Sequence, residues 1–245
     1  MRFRLENVSF RYPKSPKNAI NNLSVSFDSS STIGLVGENG SGKSTLIKVL
    51  LRQLISIEGD YYIDDKKVVD IHGNMLSDFR LGYLPEEIFL DDDLTGREII
   101  EIVGDLRGVA SEAFKRELDF FSEHLRIGPW LREKKCSEYS QGMRKKLGLL
   151  IAFLGDRGFV ILDEPTNFLD VLSVLGLKEI IRQKIAGGVG VLVSSHSIDF
   201  VNSIAEHVVV IREGAVQFSG TLAGLKNHSP GTSTVDEMYL KLLKD

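Results

Sequence analysis

Nine residues, Gly37-Glu38-Asn39-Gly40-Ser41-Gly42-Lys43-Ser44-Thr45, constrain this chain more than any other stretch. An apolar run, Ile33 to Val36, leads into them, and a second, Leu46 to Leu51, follows. That order predicts a short strand, a glycine-rich turn and a helix. The glycines let backbone N–H groups converge with no side chain in the way. A helix starting near Gly42 adds unpaired N–H groups and the positive end of its dipole, so the turn is suited to phosphate. Lys43 supplies a mobile charge for β- and γ-phosphates, and the Ser44 hydroxyl is placed for Mg²⁺.

The rest of the composition sets bounds. With 245 residues, 42% hydrophobic and 26% charged, the chain is long enough for one large domain or two modest ones around a sizeable core. A net charge of -4 gives no electrostatic grip on nucleic acid or acidic lipid. The single cysteine, Cys136, rules out an internal disulfide. The first residues, Met1 to Glu6, show no apolar run of signal-peptide length. The longest apolar stretches, such as Leu147 to Leu154, fall short of the roughly 20 residues a membrane span needs, so any membrane role is expected to come through a partner.

In chain order, Phe3, Leu5, Val8, Phe10 and Tyr12 alternate with polar residues as a half-buried strand does, and 23–28 alternate again. Tyr12 is open to two readings, a core aromatic or a ring that stacks on a base. A helix is expected over 43–54, a hairpin over 59–69 turning at Asp64-Asp65, and a strand over 79–84 ended by Pro85. The acidic run Asp91-Asp92-Asp93 reads as a solvated loop, without the interleaved spacing of a calcium site. From Thr95 to about Leu154 the pattern is helical, with a capping-box spacing at Thr95 and Glu98 and helices over 97–107, 111–126 and 143–154. This block interrupts an α/β rhythm, which makes it an inserted subdomain. Arg144, Lys145 and Lys146 read as a solvated helix face.

Phe159 to Leu162 form an apolar run without alternation, as in a strand buried on both faces, and it ends in Asp163-Glu164. Carboxylates at the carboxyl end of such a strand lie where open α/β sheets bind ligands. Asp163 is placed to hold Mg²⁺ through water, and Glu164 to orient an attacking water. A helix is expected over 171–185, strands over 189–193 and 207–211 and a helix over 198–205, with a hairpin at Glu213-Gly214. His196, alone at a strand end, reads by itself as structural. The tail, Asp236 to Leu243, is amphipathic, with Met238, Tyr239, Leu242 and Leu243 on one stripe that packs on the domain or on a partner.

Taken together, these elements resemble the ATPase subunit of ATP-binding cassette (ABC) transporters over essentially the whole chain. Gly37 to Thr45 is similar to the Walker A loop, and Phe159 to Glu164 to the Walker B strand with its catalytic glutamate. Tyr139-Ser140-Gln141-Gly142-Met143 resembles the signature motif, Asn167 to Asp170 the D-loop, and His196 the switch histidine. Glu86 stands where the family has its Q-loop glutamine, and Tyr12 where it has the aromatic on adenine. The resemblance implies an α/β fold: a P-loop NTPase core with a mainly parallel sheet, an N-terminal antiparallel β subdomain and an inserted all-helical subdomain. Residues 1–86 and 155–245 would form the core with its β subdomain, and 87–154 the insertion.

It further implies ATP and Mg²⁺ as ligands. Tyr12, Gly37, Asn39, Gly40, Ser41, Gly42, Lys43, Ser44 and Thr45 would bind ATP, while Ser140 and Gly142 would meet the ATP of a second cassette. Ser44, Glu86 and Asp163 would serve the metal, and Glu164, His196 and Lys43 catalysis. Two cassettes, a homodimer, would close head to tail around ATP and energise an integral-membrane permease from the cytoplasmic face, with segment 87–95 at the edge of the permease groove. The wording of 83–87 and 139–144 is most similar to bacterial export-type cassettes, including drug and antibiotic efflux pumps. The alternative is a soluble ABC-type ATPase acting on ribosomes, DNA or an assembly machinery. Departures from the family pattern are Glu86, Gln141, Met143 and Val171, and none removes Lys43, Asp163, Glu164 or His196.

Overall fold

The computed structural model describes residues 1–29, 31–54, 57–68, 80–228 and 235–244. The chain divides into two compact units, Met1–Phe79 with Leu192–Asp245, and Arg80–Val191.

The first unit opens with β1 (Arg2–Phe10) and β2 (Ile20–Asp28), paired antiparallel with Phe3 opposite Phe27 and Leu5 opposite Val25. Asn7 has φ 52, at an irregularity in the pairing between Leu5 and Val8. That bulge resets the alternation, so Phe3, Leu5, Val8 and Phe10 all face inward. β3 (Thr32–Val36), buried at every position, leads through the glycine turn into α1 (Lys43–Leu50). α1 ends four residues before the expected 54: Arg52 adopts φ 58, and the N–H of Gln53 reaches back to the Lys48 carbonyl. β4 (Glu58–Ile63) turns at Asp64 and Asp65, both at positive φ, into the two-residue β5 (Lys66–Lys67). The antiparallel sheet runs β2-β1-β4-β5. Val69 and Phe79, expected at strand positions, lie outside the described residues.

The second unit contains β6 (Leu81–Leu84), α2 (Gly96–Leu106), α3 (Ser111–Leu125), the single turn α4 (Trp130–Glu133), α5 (Gln141–Phe153), β7 (Phe159–Asp163) and α6 (Val171–Ala186). β6 and β7 are parallel, Leu84 opposite Leu162, and β7 is buried throughout. The expected capping box is present, with the Glu98 N–H donating to Thr95 and the Thr95 N–H donating to Glu98. α5 starts at Gln141 rather than 143, because Ser140 caps it by accepting from the Met143 N–H at 3.2 Å. α6 meets α3 so closely that a Cβ on Gly176 would collide with the His124 carbonyl.

The fully buried β8 (Gly190–Ser194) returns the chain to the first unit. There follow α7 (Ile198–Ile204), β9 (His207–Arg212), β10 (Ala215–Thr221), α8 (Leu222–His228) and α9 (Val235–Lys244). β9 is parallel to β3, Val36 opposite Val210, and antiparallel to β10 through a turn at Glu213 and Gly214. The tail question is thereby answered: Met238 and Tyr239 of α9 pack into the unit's own core with Val36, Val201, Val210 and Leu225. The antiparallel sheet, the parallel strand pairs and the helical run between β6 and β7 are the architecture expected from the sequence.

Candidate functional site

The first unit shapes the glycine-rich turn into a backbone cradle. Gly42 caps α1 at φ 111, where its missing Cβ also avoids the Ala19 carbonyl at 2.7 Å. Gly40 has φ 80. The loop is braced from outside by the β9–β10 turn, whose Gly214 N–H donates to the Ser41 carbonyl at 2.8 Å. The side chain of Lys43 is 8% exposed and bends back over the loop, donating to the carbonyls of Gly37 at 2.6 Å and Glu38 at 3.1 Å. The Ser41 hydroxyl is buried with no hydrogen-bond partner among the described residues. A buried hydroxyl left unsatisfied calls for a hydrogen-bonding partner. Ser44 and Asn39 are exposed at the rim, and Thr45 is buried.

Tyr12 stands beside this cradle. Its ring packs edge-on against Phe10, with centroids 4.9 Å apart, and its hydroxyl lies 3.4 Å from Thr45 Oγ1. Lys48 approaches the ring at 6.0 Å. His196 is exposed just beyond β8, after the buried Ser194 and Ser195, and the Ser195 N–H donates to Leu35 of β3 at 3.3 Å.

The second unit gathers the carboxylates. Asp163 ends β7 and Glu164 follows, each 6% exposed. Glu164 has φ 45, a left-handed backbone that a glutamate adopts only under local strain. Glu86 is exposed two residues past β6. Burial, with the charges of Asp163 and Glu86, pushes the Tyr83 phenol up to about 12. Gly142, in the first turn of α5, lies under the loop after β7, and a Cβ there would be 2.8 Å from the Phe168 carbonyl. Asp170 caps α6, and the Ser173 N–H and hydroxyl, aided by Lys146, hold its carboxyl well below the usual range.

The basic run behind the α5 N-terminus corrects the sequence reading. It is not a solvated face. Arg144 donates to the Cys136 carbonyl at 2.7 Å and pairs with Asp92, and Lys146 pairs with Asp170 at 3.1 Å. Lys145 is 1% exposed and donates to the Glu86 carbonyl at 2.9 Å. Burial lowers its pKa, while the carboxylates of Glu86, Asp163 and Glu164 oppose that shift. Tyr139 is a structural pin: its hydroxyl accepts from the Gly96 N–H at 2.9 Å, and its ring meets Trp130 edge-on. Cys136 is wholly buried, which pushes its thiol up and leaves it inert.

A family model described as "ABC transporter" matches residues 20–167. The chain belongs to that family. It is an ATP-binding cassette and an ATPase. It is 30% identical over 246 residues to the bovine retinal-specific phospholipid-transporting ATPase ABCA4, spanning 99% of this chain but only 10% of that protein. The ABC-type transporter ATP-binding protein EcsA of Bacillus subtilis is 27% identical, covering 98% of this chain and 96% of its own. The solved ATP-binding subunit of an ABC transporter superposes with a TM-score of 0.88 at 25% identity, covering 99% of both chains. The ATP-binding cassette MJ0796, solved as a dimer in a post-hydrolysis state with ADP and Pi, shares the fold at a TM-score of 0.73 and 22% identity, over 90% of this chain and 98% of its own. Among the described residues, no helix is long and apolar enough to cross a membrane.

Proposed function

We propose that this chain is the energising subunit of a membrane transporter, an exporter, in which two copies close head to tail around ATP and reopen on hydrolysis. The observation that supports it is the cradle itself, with Lys43 parked on loop carbonyls it can exchange for phosphate oxygens and the Ser41 hydroxyl left unpaired. Near-complete coverage of EcsA, an ABC-type transporter ATP-binding protein, supports the transporter reading. In this reading residues 1–86 and 155–245 are the catalytic core and 87–154 the insertion that docks on the permease, peripheral to the cytoplasmic face.

The roles follow from chemistry. Backbone N–H groups from Gly37 to Thr45 and the Lys43 ammonium bind the triphosphate. Tyr12 stacks on the base. Ser140 and Gly142, at a helix N-terminus, present N–H groups to the γ-phosphate of the second copy. Glu164 orients the attacking water and accepts its proton, and His196 contacts the γ-phosphate. Mg²⁺ fits the donor chemistry, because Ser44, Asp163 and Glu86 offer hard oxygens. Among the described residues no group of three or more His, Cys, Asp or Glu could hold a metal. An ion that reaches the protein through phosphate takes only one or two carboxylates, so a closed cage is not required. When bound, the ion neutralises charge on the phosphates.

The test is co-purification of the tagged chain from its native cells, from gently solubilised membranes with ATP and vanadate. A polytopic membrane protein in near-equal amount is expected. Recovery only with soluble partners would replace the transporter with a soluble ABC-type ATPase.

A further inference from the structure

α5 lies along β6 in a register fixed by small residues. A Cβ on Gly82 would collide with the Ala152 carbonyl, and one on Gly148 would come within 2.8 Å of Leu84. Residues 145, 148 and 152 share one helix face, 82 and 84 share one side of β6, and Glu86 follows in the bend after Pro85. The helix therefore runs antiparallel to the strand, Ala152 at Gly82, Gly148 at Leu84, and Lys145 at Glu86. Four helical residues, Gly148 to Ala152, rise about 6 Å and two strand residues, Gly82 to Leu84, about 7 Å, so the two spacings match along the contact.

Lys145 is thus delivered to Glu86 by packing. It is among the largest fully buried side chains of the described residues, and its ammonium donates to the Glu86 carbonyl at 2.9 Å. A buried ammonium persists where acceptors and opposite charges face it. The groups whose charges act on it are Glu86, Asp163 and Glu164. Its neighbours in sequence are engaged elsewhere, Arg144 with Asp92 and Lys146 with Asp170. Lys145 is a cation that the packing of α5 on β6 brings to these carboxylates.

We propose that Lys145 is a positioning residue for ATP hydrolysis, whose ammonium both fixes the chain at Glu86 and offsets the carboxylates of Glu86, Asp163 and Glu164, so that a glutamate is workable at position 86. This rests on the ATPase role argued above.

Four forms of the full chain test it: wild type, Lys145→Gln, Glu86→Gln and the double variant. A glutamine at 145 can still donate to the Glu86 carbonyl, so the cycle isolates charge. Lys145→Gln is expected to lower kcat about tenfold with KM for ATP within about twofold, and the double variant to return to within about threefold of Glu86→Gln alone. Unfolding midpoints in urea, without nucleotide or Mg²⁺, are expected to follow the same order. A merely structural bond to the carbonyl is indifferent to the side chain at 86, so a double variant no better than Lys145→Gln overturns the proposal, as does wild-type kcat in Lys145→Gln. If the wild type hydrolyses no ATP, the ATPase role fails, and the unfolding cycle alone decides the coupling. If Lys145→Gln does not fold, a folded double variant supports the charge pairing and an unfolded one refutes it.

Discussion

Two buried lysines show how differently the two units reach their chemistry. Lys43 bonds carbonyls five and six residues away in its own loop, whereas Lys145 bonds a carbonyl 59 residues away. The first site is written mostly in one stretch of backbone, which the β9–β10 turn braces. The second exists only when α5, β6 and β7 have packed. Lys43 therefore leans on its own loop, while Lys145 is held by elements distant in the chain.

The largest effect expected from this contrast is on Lys43. Lys43→Ala should reduce ATP hydrolysis on the order of a hundredfold or more, the usual loss for a charge aimed at a developing anion. Its thermal midpoint should stay close to that of the wild type, since the bonds removed are local. A collapse in calorimetry would make Lys43 structural and end the comparison. Next is Tyr139→Phe, which strands the buried Gly96 N–H whose acceptor lies 43 residues on. The expected loss is about 1–3 kcal/mol in urea unfolding. A change of a few tenths would mean that the second unit does not depend on such distant ties.

The smallest effect is at Asp170. Its carboxyl is held low, so its stabilising charge is present above the unfolded carboxylate range, near pH 4, and is lost as pH falls through the depressed folded value. Asp170→Asn keeps a cap and removes the charge. The deficit at pH 7 should be below about 1 kcal/mol, because the side chain is 54% exposed, and should shrink toward pH 3. Equal deficits at both pH values would count against a charge effect.

What was legible in the sequence follows the same division. The strand, turn and helix around 37–45 and the buried run at 159–162 are contiguous patterns, and the structure has them where the periodicity put them. The capping box at Thr95 spans three residues and was equally visible. The basic run at 144–146 looks like one solvated block in the sequence, but its three side chains go to different partners. Helical periodicity would have separated Lys145, in register with Gly148 and Ala152, from its two neighbours, whose side chains retain more exposure. Nothing local pairs Lys145 with Glu86 or Tyr139 with Gly96, since the packing of α5 on β6 decides the first and that of α2 on the segment before α5 the second. The tail was ambiguous for a similar reason: an amphipathic stripe specifies that it is covered, not by what.

The burial of Tyr239 beside Val36 bears on the order in which this protein can assemble as it is made. A nascent chain that has reached Val191 already holds every residue of the second unit, Arg80–Val191. The first unit at that length still lacks β9, which pairs with β3, and the α9 side chains that seal its core. The phosphate loop is thus translated early, yet the unit that carries it is the later of the two to have all its parts.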